Sequence, residues 1–408
     1  MYCKLRDNVY MIPGKKYACL YDLNERDLYH MNRELYLWLD KITKYAVDME
    51  NLKDYEKEAL KQLLKLRLIE MSNDKTVDKK ESEKRHNRIN FAWIEVTTGC
   101  NLKCLHCYEE ANNINNKQMS LEDYKLALVR LKKYGIDRIQ IIGGEPLILG
   151  EKLKKMLELA ACNFSDVEIF TNGTLITRNW AEFLKEHSIR VAVSIYSYND
   201  TEHDKVTGVN GSCEASNRAI KMLYECGVNY RICNVLINGV NIGERNTHLY
   251  RLSLKKDIVR MSGRADFSLL SDELIRKKLI TKERFTEKIN PILFKKSMQG
   301  HNCFSSKIYI STDLDVFPCV MERRIKHGSI RNKSLETILK QDVLELNKNH
   351  IDGCKDCEYR YACFDCRANS LSTNVYEKPW YCTYNPYEGV WEDPKEYIQR
   401  LKLVYSKI

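Results

Sequence analysis

No stretch of the 408-residue sequence approaches the roughly 18 consecutive apolar residues that a membrane-crossing helix needs, so no membrane partner is expected. The N-terminus, Met1-Tyr2-Cys3-Lys4-Leu5-Arg6-Asp7, has no apolar segment of the secretory type, which predicts a cytoplasmic location. Dense Lys/Arg blocks and nucleic-acid motifs are also lacking. The net charge of +10, from 66 basic and 56 acidic residues, is therefore read as suited to an acidic peptide and not to nucleic acid. There is no internal repeat. With 44% apolar and 30% charged residues the composition is that of a globular protein of two or three domains. What the chain has in plenty is cysteine: 16, in a sequence without a secretory signal. In a reducing compartment such a set more often binds metal or does chemistry than forms disulfides.

Residues 1–70 alternate short β-like stretches, Val9 to Ile12 and Tyr17 to Asp22, with two helical patterns. Leu35, Trp38, Leu39 and Ile42 share one helix face, and Ala59, Leu60, Leu63 and Leu64 another, so a small α+β domain is expected. Residues 71–90 hold 10 charged residues in 20 and read as a solvated linker. From Phe91 the pattern becomes strand, loop, helix, about six times over. Candidate strands are Phe91 to Val96, Arg138 to Ile142, Val167 to Phe170, Val191 to Tyr196, Tyr230 to Leu236 and Ile258 to Met261, with Ser120 a candidate cap for the first intervening helix. Such repeats make an α/β fold around a parallel sheet or barrel, with function at the C-terminal strand ends. Residues 91–300 form this expected core. Residues 301–408 carry seven cysteines within an 80-residue stretch and few long apolar runs, which suggests a domain held by metal.

The loop after the first core strand reads Thr98-Gly99-Cys100-Asn101-Leu102-Lys103-Cys104-Leu105-His106-Cys107-Tyr108. Three thiolates spaced CxxxCxxC can hold three irons of a 4Fe-4S cluster and leave the fourth open; zinc sites usually pair two CxxC-like units instead. The motif resembles that of the radical S-adenosylmethionine (radical SAM) family, and the resemblance covers residues 91 to about 270. It implies a partial (β/α)6 barrel whose free iron binds S-adenosylmethionine, with cleavage to a hydrogen-abstracting 5′-deoxyadenosyl radical. Gly143-Gly144-Glu145-Pro146, after the second strand, looks like the family motif for the methionyl amino group: glycines allow close approach to the backbone and Glu145 supplies an acceptor for a cation. Thr171, Asn172 and Ser194 stand at positions similar to those that contact the nucleoside in relatives, although Thr, Asn and Ser also end strands for structural reasons.

Cys303, Cys319, Cys354, Cys357, Cys363, Cys366 and Cys382 together resemble the SPASM domain, which in relatives holds two auxiliary 4Fe-4S clusters. Two departures stand out. Leu314 occupies the position of a glycine expected five residues before Cys319, and the Cys363 to Cys366 spacing is one residue short. By family ligand order Cys354, Cys357, Cys363 and Cys382 would close one cluster, and Cys303, Cys319 and Cys366 would ligate the other, leaving one position open. The remaining cysteines, Cys3, Cys19, Cys162, Cys213, Cys226 and Cys233, show no ligand spacing and read mostly as small buried hydrophobes.

The N-terminal domain resembles the winged-helix-like precursor-recognition domains of maturases of ribosomally made peptides, which take an extended leader as an added strand; a capping or dimerisation domain is the plain alternative. CKDCEYRYACFDCRA and YCKLRDNVYMIPGKKYACLYDLNERD look most like maturases of the grasp-with-spasm type, which work beside an ATP-grasp partner. The resemblance implies a peptide cross-linking enzyme making a thioether, C–C or C–O bond, with the auxiliary clusters taking the surplus electron and a flavodoxin or ferredoxin as donor. Two alternatives stand beside it: an anaerobic sulfatase-type maturase forming formylglycine, and a non-catalytic cluster protein that binds peptide. The former carry an Asp directly after the second SPASM cysteine, where this chain has Val320, and lack a leader-binding domain. No general base is identified from the sequence.

Overall fold

The computed structural model describes residues 1–73, 89–111, 116–243 and 256–405; the expected charged linker lies almost wholly outside them. The N-terminal region builds β1 (Tyr2–Leu5), β2 (Val9–Pro13), β3 (Tyr17–Asp22), β4 (Asp27–Asn32), α1 (Arg33–Lys44), α2 (Asp54–Lys65) and β5 (Ile69–Ser72). β2, β3 and β4 form an antiparallel sheet in that order, while β1 pairs with β5. Asn32 caps α1 by accepting from the Leu35 N–H at 2.8 Å, and the helix buries Leu39 and Ile42 as its spacing predicts.

The core follows as β6 (Phe91–Thr97), α3 (Leu121–Tyr134), β7 (Arg138–Gly143), α4 (Glu151–Asn163), β8 (Asp166–Thr171), α5 (Arg178–Glu186), β9 (Arg190–Ser194), α6 (Asp200–Thr207), α7 (Ser212–Glu225), β10 (Tyr230–Leu236) and β11 (Lys256–Ile258). Ser120 caps α3 through the Asp123 N–H. Strands β6 to β11 are parallel and each neighbours the next, an open array of six strands with described helices after β6, β7, β8, β9 and β11. Its apolar side chains interlock with the helices in one large core. The sixth strand lies earlier than the sequence suggests, because the apolar run Ile258 to Met261 marks burial while the ladder with β10 ends at Ile258.

After α8 (Asp272–Lys278) and α9 (Pro291–Gln299), β12 (Lys307–Ile310) pairs in parallel with β6, and β13 (Asp315–Phe317) and β14 (Gly328–Ser329) follow it antiparallel. The central sheet thus has nine strands and runs through the expected boundary at residue 300, since the cysteine-rich composition begins before the last core strand has been laid down. Short helices α10 (Leu335–Ile338) and α11 (Gln341–Leu344), the pair β15 (Tyr384–Asn385) and β16 (Val390–Trp391), and α12 (Pro394–Tyr405) complete the C-terminal region. The N-terminal sheet rests on it: Ile12, Cys19, Tyr21 and Leu23 pack with Phe294, Tyr359, Tyr361 and Tyr384. Tyr21 donates its hydroxyl to the Glu358 carbonyl at 2.7 Å.

Leu314 turns the chain between β12 and β13 with φ of 66°, the left-handed conformation for which glycine is favoured. Its side chain is fully buried in the main core, which holds leucine where the related pattern has glycine. Leu314→Ala keeps the strained backbone and loses packing worth about 2–5 kcal/mol. Leu314→Gly loses the same packing but relieves about 1 kcal/mol of left-handed strain. Urea unfolding is therefore expected to find Leu314→Gly the less destabilised of the two, the reverse of the order at an ordinary buried site.

Candidate active site and thiol groups

At the C-terminal end of the parallel sheet, the Cys100–Cys107 loop and the Gly143–Pro146 loop are tied together by backbone. The Gly144 N–H donates to the Thr97 carbonyl and the Glu145 N–H to the Gly99 carbonyl, both at 2.8 Å. A Cβ on Gly143 would lie 2.3 Å from the Thr97 oxygen, and one on Gly144 2.2 Å from the Gly99 oxygen. The close approach that demands glycine is thus made first by the protein's own chain.

Glu145 differs from the sequence expectation in the same way. Its carboxylate is fully buried, with Oε1 accepting from the Leu147 N–H at 3.0 Å and the Thr171 hydroxyl at 2.7 Å, and Oε2 from the Asn172 N–H at 2.8 Å. Instead of lying free for a ligand cation, it latches β7 to β8. Asn172 in turn donates to Asn101 Oδ1 at 2.9 Å, so Thr171 and Asn172 frame the cysteine loop. Pro146 is buried at the start of a 3-10 turn. Of the expected cofactor residues, Ser194 lines the open cavity.

That cavity, about 540 Å³, lies inside the sheet and is walled by His106, Tyr108, Ser194, Tyr196, Arg231 and Val320 among others. His106 stacks edge-on against Tyr196, 4.6 Å between ring centres. Burial pushes His106 down to about 4, which keeps the ring neutral. Asp257 and Arg260 line the cavity too, joined at 2.5 Å.

Beneath the cavity runs a polar row across the sheet that the sequence reading missed. The Trp93 indole donates to Gln140 at 2.8 Å, Gln140 to Glu168, and Arg231 binds both Glu168 oxygens at 3.0 and 2.8 Å while reaching the Cys233 sulfur at 2.8 Å. The signal was present: strands of a parallel sheet are buried on both faces and read as continuous apolar runs, so a lone Gln, Glu or Arg in mid-strand marks an interior cavity.

The ten candidate cysteine ligands fall into three groups by mutual influence. Burial pushes Cys100 and Cys104 up to about 12; Cys107 adds to both, and Cys100 to Cys104. Cys319 is pushed up to about 11 by burial, with Cys366 and Cys303 adding to it. Cys354 is pushed up to about 12 by burial, with Cys382 and Cys363 adding, and Cys357 rises with Cys363, Cys354 and Cys382 beside it. Among the described residues no three His, Cys, Asp or Glu side chains gather closely enough to hold a single ion.

The donor sets fit iron-sulfur clusters in charge as well as in type. Lys348, Arg360 and Arg367 are buried beside the third group with two buried carboxylates, Asp365 and Glu358, so one positive charge remains that ionised thiols would balance. In the first group three thiols, with no fourth side-chain ligand assigned among the described residues, would leave one iron of a cluster open.

Glu145 generates a pH test. Burial pushes its carboxyl from an ordinary 4.5 up to about 7 against its three donors. With a folded value above the unfolded one, its contribution to stability is present below pH 4.5 and lost as pH rises to about 7. Urea midpoints measured at pH 5 and 7.5 should fall with pH more in the wild type than in Glu145→Gln.

Comparison with known proteins matches residues 94–250 to the radical SAM superfamily. A probable GTP 3′,8-cyclase of Methanococcus aeolicus is 34% identical over 167 residues, covering 38% of this chain and 55% of that protein. The antilisterial bacteriocin subtilosin biosynthesis protein AlbA of Bacillus subtilis is 25% identical over 324 residues, covering 72% of this chain and 70% of AlbA. The chain thus spans about half the length of the cyclase relative and more of AlbA. Among solved structures, native anSMEcpe with bound AdoMet and Cp18Cys peptide shares the fold with a TM-score of 0.51 at 20% identity, over 78% of this chain and 99% of that one. No described helix is long and apolar enough to cross a membrane. The loop of three cysteines, the array of six parallel strands and the family match agree: residues 94–250 of this chain are a radical SAM domain.

Proposed function

We propose that the chain is a radical SAM peptide maturase that cross-links a ribosomally made precursor peptide through a thioether, C–C or C–O bond. The sorting of ten cysteines into one group at the barrel mouth and two in the C-terminal region carries this reading. AlbA, named for subtilosin biosynthesis, aligns with 72% of the chain, well beyond the radical SAM domain alone. With the Cys100, Cys104 and Cys107 group loaded, the 4Fe-4S cluster and S-adenosylmethionine supply a 5′-deoxyadenosyl radical. The chain's own residues do the rest. Ser194 and Tyr196 offer hydroxyls to the nucleoside, with Gly143, Gly144, Glu145, Pro146, Thr171 and Asn172 fixing the loops around it. Ile142, Phe170, Ile232, Val320 and Met321 keep the reacting carbon dry.

β2 and β4 are the outer strands of the N-terminal sheet, each with one neighbour, and offer an edge for a leader peptide. We assign residues 1–70 with the end of β5 to leader recognition, the rest of 71–90 to the linker, 91–300 together with β12, β13 and β14 to the core, and the remainder of 301–408 to the auxiliary-cluster region. A flavodoxin or ferredoxin as donor and an ATP-grasp enzyme as neighbour complete the reading. Val320, an apolar wall residue where sulfatase-type maturases have an Asp, favours cross-linking over formylglycine formation.

Anaerobic reconstitution should give about twelve irons per chain, four for each of three clusters. Dithionite and S-adenosylmethionine should then yield 5′-deoxyadenosine, abolished in Cys104→Ala. Zinc with little iron, or full clusters without cleavage, would overturn the proposal. In a Cys100→Ala, Cys104→Ala, Cys107→Ala variant, Mössbauer spectra should show one iron without a thiolate, at the Cys303, Cys319 and Cys366 group. Two fully thiolate-ligated clusters would refute that open position.

A further inference from the structure

Lysine is almost never fully buried unless it is paired. Lys348, at the start of the 3-10 turn Lys348–His350, is 7% exposed. Its ammonium lies 2.7 Å from Asp365 Oδ1 and donates to the Cys363 sulfur at 3.4 Å. Arg367 grips the other oxygen of the same carboxylate and donates to the Val375 and Glu377 carbonyls at 3.1 and 2.8 Å. Two buried cations thus share one anion, and the sulfur of Cys363 is the next acceptor within reach of the lysine.

We infer that Lys348 raises the reduction potential of the cluster held by Cys354, Cys357, Cys363 and Cys382, with Asp365 as the counter-charge that limits the rise. The inference rests on the reading that these cysteines hold a 4Fe-4S cluster. Reduction adds one negative charge to the cluster. A cation and a hydrogen bond at one of its sulfurs stabilise the reduced form more than the oxidised one, and the burial of Lys348 and Cys363 weakens the screening of that effect. Among the described cysteines, the one that accepts a hydrogen bond from Lys348 belongs to this group. The cations on the neighbouring group are others: Arg260 and Lys278 beside Cys366, and Lys307 beside Cys303. The two groups, joined by the short segment Cys363-Phe364-Asp365-Cys366, are therefore tuned by different residues. Lys348 is a positioning residue: it acts on the cluster through Cys363 and touches no substrate.

The test is a redox titration followed by EPR, on full-length protein with Cys100→Ala, Cys104→Ala and Cys107→Ala so that only auxiliary signals remain. Lys348→Gln should lower the reduced-to-oxidised ratio of one cluster about tenfold at a fixed potential, equivalent to 59 mV for one electron, and leave the other unchanged. Asp365→Asn should move the same cluster the opposite way, and Lys348→Arg should restore it to within about threefold of the parent. Unchanged ratios in both Lys348→Gln and Asp365→Asn at full iron content would overturn the inference. Should Lys348→Gln fail to retain iron, the upward shift in Asp365→Asn decides, and its absence overturns the inference. A parent without any iron-sulfur signal would overturn the cluster reading itself.

Discussion

Where β6 and β7 end, the two backbones approach so closely that no side chain fits between them. Gly143 and Gly144 sit against the Thr97 and Gly99 carbonyls, and Glu145 pins the same corner to β8. The rest of the site depends on this corner. It sets where the three-cysteine loop leaves the sheet, and hence where an open iron would face the cavity. Glycine is dictated by steric exclusion, and the buried carboxylate by three donors that would otherwise stand unpaired.

Charge is distributed by the same logic. The cavity row of Gln140, Glu168 and Arg231 is self-satisfied: Gln140 reaches Glu168 on the next strand, and Arg231 reaches the same carboxylate across β9. Around the C-terminal thiols the buried charges do not cancel, because Lys348, Arg360 and Arg367 face two carboxylates, Asp365 and Glu358. A network closed on itself rigidifies a wall, whereas one with a positive surplus awaits an anionic occupant.

Much of the fold was legible because apolar periodicity and caps report local structure. β10 falls at its expected bounds, and Ser120 caps α3 as its spacing suggests. The Ile258 to Met261 run misled because burial and strand pairing are different properties. The edge of the core at residue 300 misled because β12 joins β6 across more than 200 residues, a pairing no local pattern encodes. In the site, cysteine spacing carried the thiol groups, since ligand geometry constrains sequence directly. The latch role of Glu145, Thr171 and Asn172 was hidden, because a strand-end carboxylate looks the same in sequence whether it faces a ligand or its own backbone. Cys233 read as filler, yet it lines the cavity beside Arg231.

The seat of the N-terminal sheet on the cysteine-rich region has a consequence for synthesis. Tyr21 and Glu358, joined by a hydrogen bond, are 337 residues apart in the chain. At about 5–20 residues per second, roughly 20 to 70 s separate their emergence from the ribosome. Through that interval the face of β3 that meets Tyr359 and Tyr384 has no cover. The sheet that is made earlier is therefore finished later, by the segment that carries Cys354, Cys357 and Cys363. Whatever slows the packing of that later segment would leave the β3 face open for longer.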